Sequence, residues 1–72
     1  MTLRETLERL SNEELKVIMQ EHIDWESSGS IPSNAQIRAI ALSQYSKDNV
    51  MVMDRVAMEA FRAYALRRMN DE

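Results

Sequence analysis

The sequence predicts an all-α fold: a small bundle of three to four helices that closes on one long C-terminal helix. Three observations carry that prediction. The chain has one glycine and one proline, and both fall in the stretch Ser27–Ser33. No segment shows sustained alternation of apolar and polar residues, and no hairpin dipeptide occurs. Elsewhere apolar residues recur every three or four positions, which is the period of a helix. At 72 residues the chain is expected to form one domain, residues 1–72.

The elements follow in order. Thr2 is a candidate cap for a first helix over residues 3–10, with Leu3, Leu7 and Leu10 on one face. Glu5 and Arg9 stand four apart in the favourable order for an ion pair. Ser11-Asn12-Glu13-Glu14 reads as a capping box that opens a second helix over residues 12–26. Whether the first helix runs into the second is left open. Leu15, Ile18, Met19, His22, Ile23 and Trp25 share one side of the second helix. After the loop, Ser33 to Gln36 reads as another capping box, opening a third helix over residues 34–45. That helix is expected to bury Ile37, Ile40, Ala41 and Tyr45. Ser46–Asn49 is the turn into the last helix, residues 49–69, with Asp48 or Asn49 as its cap.

The last helix carries more apolar surface than a small core can use. Val50, Met53, Ala57, Ala60, Phe61 and Tyr64 form one stripe, the expected core face. Met51, Met58, Ala65 and Met69 form a second stripe beside it. Only Arg55, Glu59, Arg62 and their neighbours are expected to stay wet. Such a helix is either wrapped by the other three or shared with a partner. Methionine is flexible and polarisable and suits surfaces that adapt to a partner. Met51, Met58, Ala65 and Met69, with Trp25 as an aromatic anchor, are therefore the candidate interface.

Composition excludes several classes. There is no cysteine and only one histidine, so neither a disulfide nor a metal site of thiolates or clustered imidazoles is expected within the chain. Lack of cysteine, together with an opening that carries acid rather than a leader pattern, points to a cytoplasmic setting. The longest clean apolar run, Val50 to Met53, is far too short to span a bilayer. A net charge of −3 disfavours nucleic acid. The charge is uneven. Residues 1–36 carry three basic against seven acidic side chains, and residues 37–72 carry six against five. That asymmetry suits packing of the two halves on each other, or head-to-tail contact between protomers. No nucleophile–base pair, phosphate loop or cofactor motif is present, so no enzyme and no cofactor are expected. His22, on an apolar face, is expected to be a core or interface residue with one hydrogen-bond partner.

Two alternatives remain beside an interaction module. Asp24, Glu26, Ser28, Gly29 and Ile31 fall in the register of an EF-hand loop, and over about twelve residues the stretch resembles one. The resemblance implies a degenerate calcium module. Ala35 stands where the family has its bidentate glutamate. Gly29 ending one helix and Pro32 opening the next account for the same residues as a plain linker. A DNA-binding regulator would use the last two helices as a helix–turn–helix. Its recognition helix would then open with Val50-Met51-Val52-Met53, where polar base-reading side chains are needed. The expectation is thus a non-catalytic, cytoplasmic regulator or inhibitor, homodimeric through its last helix and acting on a protein partner.

Overall fold

The computed structural model describes residues 1–71 and contains four helices: α1 (Leu3–Glu8), α2 (Asn12–Ser28), α3 (Gln36–Tyr45) and α4 (Val50–Asn70). The all-α prediction holds, with the long C-terminal helix in place. α1, α2 and α3 all pack against α4, and α2 also packs against α3.

Two starts follow the local code closely. Thr2 and Glu5 form a reciprocal capping box at α1, and Ser11 and Glu14 form another at α2. The second box settles the junction: α1 ends at Glu8, a turn follows, and α2 begins afresh. The expected Glu5–Arg9 pair does not form, because the Glu5 carboxylate accepts from the Thr2 N–H and hydroxyl instead. α2 runs two residues past its expected end and stops at Gly29, whose φ of 80° is the left-handed conformation glycine adopts without strain. Asn49 caps α4 by accepting from the Val52 N–H. Asp48 is taken by Arg38, at 2.6 Å.

The start of α3 differs from expectation. Ala35, not Ser33, is the N-cap, and it makes no side-chain cap bond. The open N–H groups of Gln36 and Ile37 donate instead to the two carboxylate oxygens of Glu21, at 2.9 and 3.1 Å. Pro32 keeps residues 33–34 in a turn, and a carboxylate from the neighbouring helix supplies the cap.

Leu7, Leu15, Ile18, Ile37 and Val56 are the largest fully buried side chains. Leu3, Ala41, Met53, Ala57, Ala60 and Ala63 complete the core cluster. The alanines of α4 let three helices approach it closely. Val50 and Tyr45, expected inside, are 65% and 44% exposed. Val50 sits in the first turn of α4, beyond the reach of the other helices. Tyr45 is the last residue of α3, where the chain turns away through Ser46. Val56, outside the expected stripe, is fully buried in Val50's stead.

The molecule measures 35 × 29 × 17 Å. The long dimension matches α4, and the short one holds only two layers of helix, each about 10 Å across. α4 is therefore covered on one side.

A candidate interaction surface on the last helix

At about 100° per residue, Met53, Val56, Ala57, Ala60 and Ala63 cluster on the face of α4 that meets the other helices. Met51, Met58, Ala65 and Met69 fall on the opposite face. All four are exposed, Met51 at 82%, Met69 at 69% and Met58 at 44%. So α4 is both central and open: three helices wrap its inner face, and the methionine strip lies outside their reach. Arg55 and Arg62 flank the strip on one side and are tied back within the chain, Arg62 to Glu8 of α1 at 3.6 Å and Arg55 to Glu59 at 4.0 Å.

Glu59, expected on the wet face, is buried. Arg4 of α1 reaches over it, with Nε and Nη2 each donating to one carboxylate oxygen at 3.1 Å. That bidentate bond first, and Coulomb attraction next, hold the Glu59 carboxyl below the usual carboxylate range against the opposing effect of burial. The same pair raises the Arg4 guanidinium. The signal for Glu59 was present in the spacing. It stands three residues after Val56 and four before Ala63, both core residues. Its partner on α1 had no such signal.

Trp25 lies on α2, not on α4 with the methionines. It is half-buried near the end of α2 and packs edge-on to His22, with centroids 5.8 Å apart. His22 in turn meets Phe61 of α4 edge-on at 5.7 Å. Through these two ring contacts His22 links Trp25 to α4. Trp25 lines a shallow cavity of about 310 Å³ with Glu21, Ile31 and Pro32 at the α2–α3 corner.

His22 is a core residue. Its Nε2 lies 3.2 Å from the Asp54 carboxylate of α4. Its Nδ1 lies 3.2 Å from Glu26 but off the direction a hydrogen bond needs, and it has no partner. The histidine thereby pins α2 to α4 at the edge of the strip.

The calcium-loop register dissolves into helix. α2 extends through Ser28, so Asp24, Glu26 and Ser28 point around a helix and do not converge. Among the described residues no group of three or more histidines, cysteines or carboxylates could hold a metal ion. No helix of the described residues is long and apolar enough to cross a membrane.

Two arginines act as internal ties that spacing alone did not reveal. Arg67, in the last turn of α4, donates to the Glu8 and Leu10 carbonyls and to the Asn12 side chain. It thus satisfies the open end of α1. Arg38 donates to the Ile31 and Pro32 carbonyls and to Asp48, joining the two loops that flank α3.

No protein-family model matches this chain, and comparison with curated proteins and with solved structures yields no significant match.

Proposed function

We propose that this chain is a non-catalytic protein–protein interaction module, a small regulator or inhibitor that acts through the outward face of α4. One observation carries the reading. Met51, Met58 and Met69 align on the side of α4 turned away from the core, and each keeps a large part of its surface in water. Hiding such side chains from water is favourable, by about 25 cal/mol per Å² of apolar surface, and aligned exposed apolar residues mark contact sites. Among them Ala65 leaves room for a knob from a partner helix. The setting proposed is cytoplasmic, in keeping with a chain that has no cysteine. Self-association through α4 belongs to the same proposal, since chains of this size commonly gain stability by pairing.

Met58→Glu tests the reading, because it puts a charge at the centre of the strip without touching the core. Sedimentation across a concentration series should show the wild-type chain associating and the variant monomeric, with identical helical circular dichroism. A variant that associates as the wild type does would remove α4 as the contact surface.

A further inference from the structure

The exposed sulfurs of α4 belong to side chains in one line. Met51, Met58 and Met69 stand seven and eleven residues apart, and at about 100° per residue all three fall within about 20° of one direction. At a rise of about 1.5 Å per residue the line runs roughly 27 Å along the outside of the helix. Met53, two residues from Met51, falls on the inner face and is only 4% exposed. Met19, on α2, is half-buried against the core. Met1 is exposed and lies before α1. The chain has six methionines and no cysteine, so thioethers are its only oxidisable sulfurs and no thiol competes with them for an oxidant. Burial sorts these sulfurs by role: the strip is open to solvent, and the methionine that holds the core is closed to it.

We infer that Met51, Met58 and Met69 form an oxidation-sensitive modification site, at which conversion to sulfoxide switches the α4 contact off while the fold stands. The switch rests on α4 being the contact surface and adds a means of regulating it. The co-reactant is a peroxide. One peroxide oxygen bonds to the methionine sulfur as the O–O bond breaks, and sulfur gives up two electrons. The other oxygen leaves with the transferred proton, as water or an alcohol. The product is a polar, chiral sulfoxide in place of a flexible apolar side chain. Burying its S–O group without a donor is unfavourable, so a contact centred on thioethers is weakened. The core is spared, because Met53 is closed to solvent. Methionine sulfoxide reductases return the thioether, which makes the change reversible. Association covers the same sulfurs, so the free chain is the form that is modified.

Limited treatment of the wild-type chain with hydrogen peroxide tests it. Singly oxidised forms are separated by chromatography and mapped by peptide mass spectrometry. Sulfoxide should appear on Met51, Met58 and Met69 before Met53, with helical circular dichroism unchanged. In sedimentation, a chain oxidised at Met58 should associate about tenfold more weakly than the untreated chain. A chain oxidised only at Met1 should associate as the untreated chain does. Methionine sulfoxide reductases with a thiol reductant should restore association. If the chain oxidised at Met58 associates as before while Met58→Glu does not, the switch is overturned and the contact surface stands. Equal weakening by sulfoxide at Met1 overturns the strip as the site. Early oxidation of Met53 with loss of helix also overturns it, because the change is then damage to the core. An untreated chain that is monomeric at high micromolar concentration overturns self-association through α4 and the switch with it.

Discussion

At the scale of single residues, stability rests on carboxylates and guanidinium groups that bond across helices. Glu21 satisfies two N–H groups of α3 from a position on α2. Glu21→Ala should therefore destabilise the fold by about 1 kcal/mol in urea titration, the usual worth of a cap. Ser33→Ala, at the position that looked like the cap, should change it little; a larger loss at Ser33 than at Glu21 would reverse the assignment. Acid should act through a related set of groups. The Glu5 and Glu14 carboxyls are lowered first by the backbone N–H groups of Thr2 and Ser11, and Glu59 first by its hydrogen bonds from Arg4. These carboxyls return to about 4.3 in the unfolded chain. Their contribution is fully present above that value and fades as pH falls through their lower folded values. The urea midpoint should thus hold from pH 7 to about 5 and decline below about 4, less steeply in Glu59→Gln. An equal decline in that variant would show that the Arg4–Glu59 pair plays no part.

At the scale of elements, two helix ends share a left-handed stop and can be compared directly. α2 stops at Gly29 and α3 at Ser46, both left-handed, at φ 80° and 56°. A left-handed residue with a Cβ costs roughly 1–2 kcal/mol, and glycine avoids most of it. Ser46→Gly should therefore stabilise the chain by about 0.5–1 kcal/mol. Gly29→Ala should destabilise it by about 1 kcal/mol, and through backbone strain alone, since an added Cβ would meet nothing within 4 Å. Thermal melts of the pair should move in opposite directions. A common direction would show that the two ends are not equivalent. The capping boxes at Thr2 and Ser11 were legible because donor and acceptor lie three residues apart. The start of α3 was not, because its cap comes from fifteen residues upstream.

At the scale of the whole molecule, a slab 17 Å thick has one layer of core and little reserve. Total stability for a chain of this length is on the order of 4–11 kcal/mol. Leu7 is fully buried where α1 meets α4. Leu7→Ala should cost about 2–5 kcal/mol, enough to leave the chain partly unfolded near body temperature by circular dichroism. A small change in melting temperature would mean that α1 contributes less to the core than its burial suggests. The same thinness leaves the outer side of α4 uncovered. Three short helices suffice to wrap the inner face of a 21-residue helix, but not both faces.

The sequence by itself determined the helical class, the helical segments within a few residues though not the break between the first two, the two boxed starts and the glycine stop. Each depends on the helical period or on partners within four positions, so neighbouring letters carry the information. It also placed Met51, Met58, Ala65 and Met69 on a shared stripe. Only the tertiary structure decided which side of α4 the other helices take. The inner face is centred on Val56 and Ala60, where small and branched side chains permit close approach, and not on a stripe that includes Val50. Only the tertiary structure brought Arg4 to Glu59, Glu21 to α3, Arg67 to the end of α1 and Asp54 to His22. These partners lie from 15 to 59 residues apart. At such separations the chain path sets who meets whom, and no local pattern records it.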